Sequence, residues 1–175
     1  VIFGEGSVSA LADIVKESTN SGQVAIITDD ETCISQLDFL QQALRNLDDN
    51  TNNSVLDDNP HTKGSPRPVF KAANDLTMET VAQVASELNE CAKRGLGLIA
   101  IGGDYAMYLA KSVAAMMATP GITNLNNANK SGLIKVFCIP TNPGTGSELI
   151  SEVILTGAEK PVNLHICRAA GLAPD

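Results

Sequence analysis

The chain has 175 residues, of which 43% are hydrophobic, and its 12 Lys and Arg against 20 Asp and Glu give a formal net charge of -8. That length fills one well-buried core and is short for two domains, and the apolar fraction is that of a globular chain rather than a disordered one. The acidic balance, with no basic patch interleaved with aromatics, excludes nucleic acid as an expected partner.

The first residues, VIFGEGSVSA, have no basic start leading into an apolar core and no initiating Met, so they read as a trimmed beginning rather than a signal peptide. A cytoplasmic protein is the expectation. VIFG (1 to 4) reads as a short strand, and Val8, Leu11, Ile14 and Val15 mark the apolar face of a helix with Ser7 or Ser9 available as its cap. VAIIT (24 to 28) is a continuous apolar run ending in Asp29-Asp30, and a helix through Leu37, Leu40 and Leu44 follows it. DDNTNNS (48 to 54) is a turn, and the segment 57 to 68, with three prolines and one glycine, predicts an extended loop around a short strand. Residues 77 to 93 place Val81, Val84, Ala85, Leu88 and Ala92 on one face of a helix, whose start pairs Thr77 with Thr80 as half a capping box.

The most informative unit is GLGLIAIGGDYAMYLAKSVAAMMATPG. LIAI is a buried strand, Gly102-Gly103 a tight turn, and Tyr105 to Ala118 a helix with little polar surface, stopped by Pro120 and Gly121. Its most apolar part, Ala106 to Ala118, is interrupted by Lys111 and is shorter than the ~20 residues that span a bilayer. No membrane partner is expected. A strand, a glycine turn and a helix N-terminus form an anion site, because the first backbone N–H groups are unpaired and the helix dipole favours negative charge. After the Asn-rich loop NLNNANKSG, VFCI predicts another strand, and PTNPGTGSE (140 to 148) separates it from VILT. Two Gly-rich loops thus lie at strand ends, where ligands bind in open parallel sheets. The repeated switch between strand-like runs and helix-like spacing defines an α/β chain.

Cys33, Cys91, Cys138 and Cys167 form no CxxC pair and are expected to be free thiols, and His61 and His165 are isolated. No metal ligand and no catalytic residue is assigned.

FGEGSVSAL, IITD, LIAIGG followed by a helix carrying Ala110-Lys111, IPTNPGTGSE, VILT, KPVN and LAPD resemble, in that order, the iron-containing (group III) alcohol dehydrogenases. The most specific piece is PTxxGTGSE between two strands. The likeness implies a single α/β dinucleotide-binding-type domain over residues 1–175, with an open, mainly parallel, Rossmann-like sheet and helices on both faces. It further implies that this is one half of a two-domain protein. A helical second domain, expected to begin where this chain stops at LAPD, would supply an Asp and three His to Fe²⁺ or another divalent metal. In such an intact enzyme hydride would pass between nicotinamide C4 and a carbon whose oxygen the metal polarises. A domain separated from its other half would leave an apolar face inviting a homodimer.

The resemblance also implies residue roles toward NAD(H) or NADP(H). Asp29 matches the acidic residue that accepts hydrogen bonds from the adenosine ribose and would favour NAD over a 2′-phosphate; read from the residues alone, it is equally a cap for the next helix. Thr141, Thr145, Gly146 and Ser147 match the loop flanking adenine and phosphates, with Asn142 in place of a second Thr, although a tight turn between strands would use the same residue types. Gly102 and Gly103 match the glycine turn. There the sequence departs from the family pattern of GGGS, two residues, Asp, one residue and Ala-Lys: Asp104 and Tyr105 stand for Gly and Ser, and Tyr108 for the Asp. Two unit charges about 4 Å apart interact by roughly 4 kcal/mol at an effective dielectric of 20, more than the ~1 kcal/mol of an N-cap. Asp104 is therefore expected to repel a cofactor phosphate and to serve as the pocket's own anion.

Three functions follow. The first is the nucleotide-binding domain of an NAD(P)-dependent alcohol or aldehyde oxidoreductase, supported by PTNPGTGSE and Asp29. The second is a degenerate relative acting as a binding or assembly protein, supported by Asp104, Tyr105 and Tyr108. The third is a nucleotide- or phosphate-binding module without a redox role.

Overall fold

The computed structural model describes residues 7–19, 23–29, 34–44, 69–72, 76–89, 95–129, 134–143, 145–157 and 164–168. Within them the apolar runs become strands β1 (Val24–Asp29), β2 (Val69–Ala72), β3 (Leu96–Gly102) and β4 (Ile134–Pro140). The periodic segments become helices α1 (Leu11–Ser18), α2 (Ile34–Ala43), α3 (Met78–Glu87) and α4 (Asp104–Ala118). All four strands are parallel, in the order β2-β1-β3-β4.

The side-chain period of two in a strand sends alternate residues to opposite faces, and both faces are covered. Ala25 and Ile27 of β1 and Leu98 and Ala100 of β3 pack with Val81, Val84 and Leu88 of α3 and Met107, Ala110 and Val113 of α4. Val24, Ile26, Ile99 and Ile101 point the other way, onto Leu11 and Val15 of α1 and onto Leu40 and Leu44 at the end of α2. Each Leu or Ile buried in this way contributes roughly 1.5–3 kcal/mol. Burial on both faces also explains why β1 and β3 read as unbroken apolar runs instead of alternating ones. The Rossmann-like α/β fold, with helices on both faces of an open parallel sheet, is therefore as expected.

A second, antiparallel sheet pairs β5 (Glu152–Thr156) with β6 (Leu164–Arg168). Val153, Leu155 and Cys167 join the α3 and α4 side of the core, and the Thr156 N–H donates to Leu76 O at 2.7 Å, fixing this ribbon beside the start of α3.

Three details differ from the sequence reading. Neither Ser7 nor Ser9 caps α1: both lie in a 3-10 turn, Ser7–Ala10, and the N-cap is Ala10, which makes no side-chain cap bond. A strand that the sequence reading did not expect lies at Val69–Ala72, just past Pro68. α4 starts at Asp104, one residue earlier than expected, with Gly103 as its N-cap. The half capping box is present, the Thr80 N–H donating to Thr77 Oγ1 at 3.3 Å. The strand expected at VIFG, the turn 48 to 54, the segment 57 to 68, and Cys33, His61 and Cys91 lie outside the described residues.

Strand order places the site. From β1 the chain moves outward to β2, then returns past β1 to β3 and continues to β4. The carboxyl ends of β1 and β3 therefore flank the topological switch point, the crevice where open α/β sheets take their ligands.

Candidate functional site

At that switch point β1 ends in Asp29, only 7% exposed, and β3 ends in Gly102. The Asp29 carboxylate accepts a short hydrogen bond from the Gly103 N–H. The carboxylate thus links the end of β1 to the glycine turn. Gly102 has φ +142, and a Cβ there would sit 2.5 Å from Asp29 Oδ2, so glycine is required by both backbone and space. A Cβ on Gly103 would meet Asp29 Oδ2 at 3.2 Å and Asn142 Oδ1 at 3.5 Å. Asn142 arrives there because the Thr141 N–H donates to Gly102 O at 3.1 Å, which extends the β3–β4 pairing into PTNPGTGSE. Asp29, Gly102, Gly103, Thr141 and Asn142 therefore meet at one place.

A second group lies against the first turns of α4. Both the Thr145 hydroxyl, at 3.0 Å, and the Ser147 hydroxyl, at 2.8 Å, donate to Asp104 Oδ1. Gly146 between them has φ +79, a left-handed conformation that suits glycine, and its carbonyl accepts the Leu149 N–H at 2.9 Å. Tyr108, one turn along from Asp104, is buried and hydrogen-bonded to Thr145, and burial raises its phenol above the ordinary value. Tyr105 is 37% exposed on the outer side of the same turn. The structure thus brings together the glycine turn and the loop that the sequence singled out, with Asp104 between them.

The sequence reading noted Lys111 without assigning it a role. It is 1% exposed, and its ammonium donates to Ser147 O at 2.9 Å, Ile150 O at 3.1 Å and Glu152 O at 2.5 Å, with the Tyr108 ring centroid 5.4 Å away. Burial lowers its pKa to about 8, against the opposing pull of Cys138, Asp104, Glu152 and Glu148. Its signal in the sequence was a lone lysine on an apolar helix, since a buried charge persists only where partners satisfy it. Cys138, on β4 beside it, is pushed by burial up to about 12, with Lys111 drawing it partly back.

An open parallel sheet with a glycine turn at its switch point defines a Rossmann-like α/β domain with a crevice at its strand ends. The chain belongs to the iron-containing alcohol dehydrogenase family, whose profile matches residues 1–175. A search of curated protein sequences returned no match. Among solved structures, a 1,3-propanediol oxidoreductase superposes with a TM-score of 0.74 at 16% identity, covering 99% of this chain and 41% of its own. A sulfoacetaldehyde reductase from Bifidobacterium kashiwanohense, solved in complex with NAD⁺, gives 0.70 at 19% identity, covering 98% of this chain and 42% of its own. An aldehyde reductase from E. coli gives 0.67 at 17%, covering 98% and 40%. The likeness at these identities is one of fold, and the chain spans about two fifths of the length of these proteins.

The family name implies iron, but among the described residues no three His, Cys, Asp or Glu side chains converge. The donor set for a metal is therefore not found in them. The crevice at Asp29, Gly102 and Gly103 has a backbone at Gly102 that suits glycine, a buried carboxylate at the end of β1, and exposed Thr141 and Asn142 opposite. Among the described residues no helix is long and apolar enough to cross a membrane.

Proposed function

We propose that this domain is the nicotinamide-dinucleotide-binding part of an alcohol or aldehyde oxidoreductase, with the adenosine end seated in the crevice between β1 and β3. The observation that carries the reading is the meeting of Asp29 with the Gly102-Gly103 turn at the switch point. Family membership and the NAD⁺ complex of a reductase with the same fold support it.

In this reading the Asp29 carboxylate accepts from a ribose hydroxyl, which disfavours a 2′-phosphate and so selects NAD(H) over NADP(H). Thr141 and Asn142 form an uncharged polar wall on the far side. A bound nicotinamide supplies the hydride chemistry, while the domain binds and orients it. The metal ligands and the alcohol site would then lie in another part of the protein.

Adenosine, which carries no phosphate, tests the seat itself. Titrated into the ¹⁵N-labelled chain, it is expected to shift the amides of Asp29, Gly102, Gly103, Thr141 and Asn142. Saturating adenosine that moves none of these amides overturns the reading.

A further inference from the structure

An ammonium group has three N–H donors, and that of Lys111 spends them on three carbonyls, those of Ser147, Ile150 and Glu152. The side chain is 1% exposed, so an acceptor that loses its donor here finds little help from bulk water. A neutral amine has two N–H groups and a lone pair. Deprotonation therefore frees one of the carbonyls and turns a lone pair toward the group it held. These carbonyls belong to the stretch that runs from the crevice to β5. At its crevice end the Thr141 N–H is pinned to Gly102 O at 3.1 Å, and Asn142 lies against the Gly103 position. Ser147 follows Asn142 by five residues. The place of Ser147 thus sets where the short span between them, and the polar wall at 141 and 142, can lie.

Around the ammonium stand Tyr108 and Asp104 of α4, Cys138 of β4, Glu148 of the loop and Glu152 of β5. Burial holds the Tyr108 phenol above its ordinary value and Cys138 near 12, while it lowers Lys111 to about 8. Of these three the lysine gives up its proton first. Losing that proton relieves a buried charge but loosens the loop, so the fold as a whole gains while the wall of the crevice loses.

From this match of three donors to three carbonyls, and resting on the crevice reading above, we infer that Lys111 is a positioning residue for the nucleoside seat. Protonated, it holds the loop after β4 in the shape that presents Thr141 and Asn142 to the ligand; neutral, it lets one carbonyl go and the wall draws away. Binding at the crevice is thereby coupled to a proton on the lysine behind the loop. By reciprocity, a bound nucleoside holds that proton in place.

The test follows adenosine, whose charge does not change between pH 7 and 9.5, by calorimetry across that range. The Lys111 ε-carbon and the Thr141 and Thr145 methyl carbons are read alongside by ¹³C NMR. Affinity is expected to fall by about threefold or more, with the same midpoint as the lysine ε-carbon, and both methyl signals are expected to move with it. Saturating adenosine is expected to shift that midpoint upward. Lys111→Met, checked for folding by circular dichroism, is expected to bind about threefold more weakly at pH 7 and to show no such midpoint. Should it not fold, the coincidence of midpoints in the unmodified chain decides the matter. Affinity that stays level while Lys111 titrates would overturn the inference and leave the crevice reading in place. So would a Lys111 that keeps its proton through pH 9.5, or a methionine variant that binds as tightly as the unmodified chain. A chain that takes no adenosine at any pH would overturn the crevice reading and this inference with it.

Discussion

Lys111 and Ser147 are joined from inside the core: the buried ammonium donates to the Ser147 carbonyl at 2.9 Å, while the Ser147 hydroxyl reaches forward to Asp104 at 2.8 Å. One residue of the loop is thereby held by two residues of α4 two turns apart. This ties the loop after β4 to the same helix whose first turn faces the crevice. Replacing the lysine by methionine keeps the length and apolar stem but withdraws a donor from three carbonyls. Lys111→Met is expected to lower stability by about 2–4 kcal/mol, since it leaves desolvated acceptors behind. At this chain length that is a fall in Tm of roughly 5–15 °C, readable in a thermal melt followed by circular dichroism.

The same ammonium makes stability depend on pH with a definite sign. Its folded pKa is about 8 against an ordinary 10.5, so between these values the unfolded chain binds the proton that the folded chain has lost. Stability attributable to Lys111 is then lowest below pH 8 and rises as pH climbs toward 10.5, with a slope of at most about 1.4 kcal/mol per pH unit. Cys138, held up near 12 from an ordinary 9.0, works the other way above pH 9, because its unfolded thiol ionises first. Urea melts of the unmodified chain and of Lys111→Met at pH 7, 8, 9 and 10 separate the two. The gap between the proteins is expected to widen in favour of lysine as pH rises. A gap that narrows would mean that the three carbonyls require the charged form.

How far such features could be read in advance depended on whether their partners were local. β1 and β3 were legible because strands buried on both faces are written as unbroken apolar runs, VAIIT and LIAI. β2 was not, since VFKA is four residues long, carries a lysine and follows a proline-rich stretch that resembled a loop. At the site, the residues of PTNPGTGSE and the glycine turn were marked by composition, and Asp104 stood out as a charge where a phosphate turn needs none. The acceptor set of Lys111 left no mark. It consists of backbone carbonyls 36 to 41 residues away, and every residue has a carbonyl.

The two described cysteines should be slow to react. Cys138 and Cys167 are free, and burial raises both thiols above their ordinary value, Cys138 to about 12. At pH 8 a thiol of that pKa is ionised to about one part in ten thousand, and it is the thiolate that attacks. In a Cys33→Ser, Cys91→Ser background, which leaves only these two, Ellman's reagent is expected to give no fast phase at pH 8 until urea unfolds the chain. Prompt release of two equivalents would show both sulfurs to be open to solvent.

Ser112 offers a stabilising change. It is 0% exposed within α4, and its hydroxyl finds no hydrogen-bond partner among the described residues. Removing a buried, unsatisfied hydroxyl recovers its desolvation cost, and alanine is also the better helix former. Ser112→Ala is expected to raise stability by about 1–2 kcal/mol, or Tm by roughly 2–8 °C. A loss of stability in the same melt would reveal a partner for the hydroxyl.

The two glycines of the turn should respond unequally to alanine. At Gly102 the new Cβ would lie 2.5 to 2.9 Å from the Asp29 carboxylate, on a backbone with φ +142 that L residues rarely adopt. At Gly103 the approach is 3.2 Å, and φ is an ordinary -91. Gly102→Ala is therefore expected to cost about 2–4 kcal/mol through clash and backbone strain together, and Gly103→Ala about 1 kcal/mol or less. Asp29 is the group each one meets, so Asp29→Ala separates the two causes. In the Asp29→Ala background the clash at Gly102 disappears and only the strain remains, making the combined loss smaller than the sum of the single losses by about 1–2 kcal/mol. Strict additivity in that double-mutant cycle would mean that backbone conformation alone holds glycine at 102, and that the carboxylate of β1 does not press on the turn.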